Sequence, residues 1–520
     1  MSQKQKIYLI FFFIILLAIF FRFWQISKIP LGLYPDEAIN ANDAITNPGK
    51  VFYPENNGRE GLFINFVYLF FSLFGISITT LRIVPAIFGS LTVLGTSLLT
   101  KELFFNHPKR DFIALLSSFF LAVSFWHTNF SRIAFRAVLL PFCLVFAFYF
   151  LLRAKRVFHQ NKKMSLFFAA IGGIFYGLGF YTYIPIRLSP LIFLAFIFLM
   201  INREQRWSLI KLVTIFLIAA FVIALPIGIY FLNYPQNFIS RAQGISIFST
   251  QNPIKAFIHS LFIHLGMFVF RGDQNWRHNH PQKTEVLLLL GILLYLALVF
   301  ALFKLIKALK EKNWNELFLF AFLFLWFFAL ILGGVLTYEG IPHALRTIGI
   351  VPVVYIFIGW IVTEIFLLLK KHQKEKLGWV IVGVIVIYSL TLNFYWYFIK
   401  WAKDSNMPGA FTYNFVKIGE YINKLPNSVN KYVIVNEPGV PVPYPDGIPM
   451  PAQTIMFMER SKYHKLRAIY LKPEQISQIK EGSIIVLMKH DENILNQLKS
   501  KFPKGHLQTE NSITTFILQN

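Results

Sequence analysis

Apolar residues fill the first 400 positions in long blocks broken by short charged segments, without the alternation that marks a half-buried strand. Blocks near the roughly 20 residues needed to cross a hydrocarbon core fall at about 7 to 24, 78 to 100, 112 to 128, 134 to 152, 165 to 181 and 188 to 201. Five more follow at about 209 to 232, 286 to 303, 316 to 336, 348 to 369 and 378 to 399. The pattern predicts an all-α polytopic membrane protein of about 11 transmembrane helices, with the first block, preceded by Lys4 and Lys6, retained as a signal anchor.

Residues 61 to 75, GLFINFVYLFFSLFG, are apolar almost all round, yet a helix of that length reaches only about 22 Å against a core of roughly 30 Å. Basic clusters decide how they lie. KELFFNHPKR (101 to 110), RAKRVFHQNKK (153 to 163), NREQRW (202 to 207), residues 304 to 312 and KKHQKEK (370 to 376) mark cytoplasmic loops. With the N-terminus also inside, residues 25 to 101 hold a single crossing, so 61 to 75 is expected along the outer interface. Outside then fall the loop 25 to 77, the turns near 129 to 136 and 182 to 187, the loop 233 to 285, the turn 337 to 346 and everything after 400.

The pattern changes at about residue 401. The tail 401 to 520 carries ten of the chain's 25 acidic residues and mixes short apolar runs with amphipathic ones. KYVIVN (431 to 436), LRAIYL (466 to 471) and SIIVLMKH (483 to 490) predict buried strands, ENILNQLKSKF (492 to 502) an amphipathic helix, and the prolines from 438 to 451 a loop. A transmembrane domain over 1 to 400 and a small soluble α/β domain over 401 to 520, outside the membrane, are expected.

Composition narrows the function. At 56% hydrophobic and 14% charged the chain departs from the soluble norm of roughly 25% charged. The net charge of +25 is explained by the loop clusters, so nucleic acid is not an expected partner. One cysteine, Cys143, excludes an intrachain disulfide and a zinc finger.

Five acidic residues, Asp36, Glu37, Asp43, Glu55 and Glu60, share the first outer loop. Two readings stand for Asp36: a side-chain cap on the short helix EAINANDAI, or a general base beside a membrane-borne substrate. A second set is basic, with Arg132 and Arg136 in NFSRIAFRAVLLP, Tyr183 and Arg187 in GFYTYIPIRLSP, and Arg346 in EGIPHALRTIGIVP. Any one of these arginines could be snorkelling. Several on the face that disfavours positive charge instead suggest a seat for a lipid phosphate, which guanidinium binds bidentately. Arg82, at the outer start of its span, is a weaker member of the set. His278 and His280 in RGDQNWRHNHP, with Asp273, form a weak metal-ligand candidate, and no metal is required by the reading. His343, three residues before Arg346, shares its helix face and is the better substrate contact.

The ordered set YPDEAINAND, NNGREGLFINF, LRIVPAIFGSLTVLGTSLLTKELF, SRIAFRAVLLPF and PHALRTIGIVP resembles the bacterial membrane glycosyltransferases related to protein O-mannosyltransferases and to the aminoarabinose transferase of lipid A, which have the GT-C fold. The resemblance covers about the first 400 residues. It implies that Asp36 activates the acceptor, that Glu37 completes the acidic pair, and that Arg59 and Glu60 form the charged entry to the interfacial helix. It further implies that Arg132, Arg136 and Arg346 contact the donor phosphate. Some relatives hold a metal between that helix and a later histidine, for which Glu60 with His278 or His280 would be the analogue.

Chemistry agrees with this donor class. Nucleotide sugars are cytoplasmic, whereas every candidate group points outward, so the sugar is expected on a polyprenyl phosphate. No DxD occurs, which suits a monophosphate leaving group stabilised by arginines. The expected protein is a multi-pass transferase of a bacterial-type plasma membrane, with a cytoplasmic N-terminus and an extracytoplasmic C-terminal domain. It would move a sugar with inversion to a protein, lipid or glycan hydroxyl. Two alternatives remain open: a polymerase or ligase using a polyprenyl-diphosphate oligosaccharide, and a transporter or flippase of a lipid-linked saccharide, against which the one-sided charge placement argues.

Overall fold

The computed structural model describes residues 2–201, 203–442, 447–510 and 513–518; positions 443–446 of the proline-marked loop and the first residue of the cluster 202 to 207 lie outside them. The chain forms two compact units, one of Met1–Trp24, Glu60–Phe63 and Pro85–Lys403, the other of Gln25–Arg59, Ile64–Val84 and Asp404–Asn520.

Among the described residues, eight helices are long and apolar enough to cross a membrane: α1 (Gln3–Phe23), Ile78–Leu103, Arg136–Val157, Arg206–Asn233, Leu288–Lys310, Trp314–Val335, Ile348–Lys371 and Glu375–Trp401. The other three blocks are helical but differ from simple spans. The block read at 112 to 128 is interrupted at Ser124, which ends the helix Arg110–Val123 and accepts the His127 N–H at 3.2 Å to start a new one. The block at 188 to 201 winds as a 3-10 helix over Ile184–Ala195, with Pro185 and Pro190 lacking the N–H that an α-ladder needs.

The block at 165 to 181 becomes the helix Lys162–Gly179. A Cβ added at Gly173 would lie 2.2 Å from the carbonyl oxygen of Phe216, and one at Gly177 2.6 Å from that of Ala220. Small residues four apart let two backbones approach in the way membrane helices favour.

In the second unit, α2 (Pro35–Thr46) packs on the helix Gln453–Tyr463, where the Asn42 amide donates to the Gln453 carbonyl at 2.9 Å and to its Oε1 at 2.8 Å. Thr412 and Thr454 both donate to the Leu33 carbonyl, at 2.8 and 3.0 Å. The tail and the first loop therefore fold as one body, a link that their separation of some 400 residues conceals. Two short strands, β1 (Phe52–Tyr53) and β2 (Arg59–Glu60), precede α3 (Leu62–Phe74), the predicted short helix, on which Tyr68, Leu69, Leu73 and Phe74 are exposed.

The tail sheet has five strands: β3 (Asn430–Ile434), β4 (Ile469–Leu471), β5 (Ser483–Leu487), β6 (His506–Glu510) and β7 (Ile513–Ile517). Their order is β4-β3-β5-β7-β6, with β3 parallel to β4 and β5, and β7 antiparallel to β5 and β6. Both faces of the parallel part are covered, Val433 and Val486 packing with Ile418 and Ile455 on one side, Ile434 and Ile485 with Leu495 and Leu498 on the other. Covering on both faces is why these strands read as unbroken apolar runs.

Candidate active site

The start of α2 divides the acidic pair by role. Pro35 presets the first helical turn and Tyr34 is the capping residue, whose N–H donates to Glu37 Oε1 at 3.2 Å. Glu37, not Asp36, thus provides the cap. Glu37 is fully buried and accepts from Arg82 at both carboxylate oxygens, 3.3 Å each, while Arg82 also donates to the carbonyls of Pro30 and Gly32 at 2.7 Å. Its predicted substrate contact is replaced by a structural ion pair.

Asp36 is left half-buried in the first helical turn, where the positive end of the helix dipole favours a carboxylate. Its Oδ1 accepts from the Asn56 amide at 2.6 Å, and no second donor to this carboxylate is found among the described residues. Asn56, Asn57 and Gly58 all have positive φ, at 52°, 62° and 84°. Asn and Gly are the residues that tolerate this conformation, so the NNG triplet of the sequence was a readable turn signal whose link to Asp36 was not.

Arg59 is also buried. It donates to Asn40 Oδ1 at 3.0 Å and to Asp43 Oδ2 at 2.5 Å, so it secures α2 from the side. Burial pushes the Asp43 carboxyl above its usual range, against the opposing pull of Arg59.

In the first unit, Glu60 and Arg136 form a buried ion pair at 2.6 Å, and the Arg136 guanidinium lies 5.5 Å from the Tyr183 ring centre. Arg187 donates to the Phe238 carbonyl at 2.8 Å and stacks 3.8 Å over its ring. Arg132 turns inward: fully buried, it donates to the carbonyls of Phe21 and Trp24 at 3.0 and 2.8 Å, at the end of α1, and lies over Tyr397 and Phe398. A cation at those unsatisfied carbonyls is a helix C-cap.

The loop after Phe270 and the turn before Ile348 meet at Asp273. Its Oδ2 accepts from His278 Nδ1 and from the Ala344 N–H, both at 2.8 Å, and lies 3.9 Å from His343 Nδ1. Arg346 is half-buried and donates to Thr337 Oγ1 and the Glu339 carbonyl, each at 2.8 Å. His280 stands apart from this group, its ring 4.9 Å from Trp276 and 5.1 Å from Trp396. The family-type metal pair does not fit, because the Glu60 carboxylate carries the Arg136 guanidinium and His278 is bonded to Asp273.

The family model of the dolichyl-phosphate-mannose-protein mannosyltransferases matches residues 61–240. No curated protein matches the sequence. ArnT from Cupriavidus metallidurans, solved bound to undecaprenyl phosphate, is 10% identical over 99% of this chain and 98% of that one, with a TM-score of 0.58. The Archaeoglobus fulgidus oligosaccharyltransferase tethered with an acceptor peptide is 12% identical over 96% of this chain and 68% of that one, at a TM-score of 0.54. The archaeal oligosaccharyltransferase AglB from the same organism, with an inhibitory peptide and a dolichol-phosphate, is 13% identical over 100% of this chain and 75% of that one, at 0.52. The chain is a multi-pass membrane protein with an ArnT-like GT-C fold, a helical body carrying a small C-terminal sheet domain.

Proposed function

We propose that the protein is a membrane glycosyltransferase that moves a sugar from a polyprenyl phosphate to an acceptor hydroxyl on the outer face of the membrane, with inversion. The observation that carries this reading is the division of labour at the start of α2, where Glu37 provides the cap and the buried ion pair and leaves the Asp36 carboxylate with one hydrogen bond among the described residues, from Asn56. A carboxylate so held can take a proton.

In the reaction, Asp36 removes the acceptor hydroxyl proton as that oxygen bonds to the anomeric carbon from the face opposite the phosphate. The bond from that carbon to the phosphate oxygen breaks, and polyprenyl phosphate leaves with the electron pair. Arg346 and Arg136 with Tyr183 and Arg187 are the groups assigned to the phosphate and sugar; the Arg136 guanidinium holds Glu60, and that of Arg346 donates to Thr337 and Glu339. The likeness to ArnT and to AglB, solved with undecaprenyl phosphate and dolichol-phosphate, supports the donor class.

A cavity of about 850 Å³ in the second unit is assigned to the acceptor. It is lined by Tyr34 and Pro35, which precede Asp36, and by Tyr413, Lys417, Glu437 and Lys489. It lies outside the carboxyl ends of the parallel strands β3 and β5, the place where α/β sheets take ligands.

The test is transfer by membranes carrying the protein, supplied with a panel of radiolabelled polyprenyl-phosphate sugars and, separately, polyprenyl-diphosphate oligosaccharides. Release of polyprenyl phosphate with label on an acceptor supports the proposal. Consumption of the diphosphate donor alone replaces it with the ligase reading, and label crossing the bilayer without transfer replaces it with a transporter.

A further inference from the structure

Arg136 and Lys155 stand near opposite ends of the helix Arg136–Val157, roughly 29 Å apart by helical rise. At the Lys155 end a cavity of about 590 Å³ lies between this helix and the helices Ile78–Leu103, Leu288–Lys310, Trp314–Val335 and Ile348–Lys371. A separation close to the thickness of a hydrocarbon core, about 30 Å, divides it from Arg136, so the transfer reaction makes no use of it.

The carboxylates that line this cavity are all paired. Glu102 pairs with Arg156 and lies 3.5 Å from Arg153, and Glu316 lies 3.7 Å from Lys304. Glu364 accepts from the Trp360 indole at 2.9 Å and lies 3.1 Å from His107 Nε2. Lys155, which also lines the cavity, is different: its ammonium has no hydrogen bond or ion pair among the described residues. Lys162 and Lys163 of the same basic cluster are exposed and neutralised by water, whereas Lys155 is half-buried. Snorkelling carries a lysine head into open solvent, and it does not account for one held at a cavity wall without a counter-charge.

We propose that this cavity binds the phosphate headgroup of an anionic phospholipid, with Lys155 as the cation that meets it. Basic pockets between membrane helices take such headgroups. Arg156 stands beside Lys155, its guanidinium 3.8 Å over the Phe105 ring. The apolar part of the wall favours a lipid over a free anion: Phe105 lines the cavity and is exposed, and Trp207 is exposed next to the lining residue Ser208. Acyl chains have that surface to follow, which a water-soluble phosphate does not need.

The site is tested by lipid retention, independently of any transfer activity. Full-length protein in detergent is incubated with phosphatidylglycerol, desalted and weighed by native mass spectrometry. The wild type is expected to retain about one phosphatidylglycerol per chain, with a thermal midpoint raised by this lipid and not by phosphatidylcholine. K155Q leaves no carboxylate unpaired, so it should fold as wild type does and bind the lipid about tenfold or more weakly. K155R and K162Q are expected to retain it. A wild type that elutes without lipid overturns the proposal, as does K155Q retaining as much as wild type, or K162Q losing as much as K155Q. A midpoint raised by inorganic phosphate with no lipid retained assigns the cavity to a free anion and overturns the lipid.

Discussion

Arg82 grips both carboxylate oxygens of Glu37 at 3.3 Å, with neither side chain exposed to solvent. The pair joins the helix that begins at Ile78 to the start of α2, directly beside the candidate base Asp36. A charge buried in this way is neutralised by its partner and not by water.

Replacing Glu37 by Gln should therefore leave Arg82 uncompensated and destabilise the protein by about 3–5 kcal/mol. A fall in thermal midpoint and in the yield of folded protein would be seen by scanning fluorimetry in detergent. The double variant E37Q/R82M should recover part of the loss, because a buried pair removed together strands neither charge. An E37Q protein as stable as wild type would show that the pair does not hold α2.

Asn56 donates a hydrogen bond to the Asp36 carboxylate, and its φ of 52° is tolerated by glycine. N56G keeps the backbone and removes the donor. A hydrogen bond to a charged group contributes about 1.5–3 kcal/mol, so kcat should fall by roughly tenfold to a hundredfold, with the donor KM changed little. A matching loss of folded protein, instead of kcat, would assign Asn56 to stability alone.

The tail has its own pH signature. Glu459 is buried, and desolvation raises its carboxyl above the ordinary range despite hydrogen bonds from Tyr470 and from the N–H groups of Arg467 and Ala468. A carboxyl raised in the folded state holds its proton longer there than when unfolded. Its contribution to stability is thus full below the unfolded pKa and is lost as pH rises through the folded one. E459Q mimics the protonated form, so its thermal midpoint should gain on the wild type as pH rises from the ordinary carboxylate range. A constant difference across pH would contradict this.

Periodicity and charge reveal the elements better than their pairings. The short helix α3 was legible because a largely apolar stretch of 15 residues, 61 to 75, is too short to span a bilayer. The strands around Val433 and Val486 were legible as β-branched runs. Arg132 was not: its place in the chain suggests an outer helix end, but only the structure shows that the carbonyls of Phe21 and Trp24 lie within its reach. Glu37 and Arg82, or Asp273 and His343, are 45 and 70 positions apart, and no local pattern joins them. Residue types that suit a phosphate or a base also suit a buried ion pair, and only partners and burial tell the two apart.

The central claim rests on Asp36, and one comparison reaches it directly: turnover by wild type and D36N in the same membranes, at saturating polyprenyl-phosphate sugar and acceptor, with insertion levels matched. A general base contributes about 10²–10⁴ in rate. The account predicts that D36N binds donor as wild type does and loses at least about a hundredfold in turnover. Wild-type turnover in D36N would contradict it.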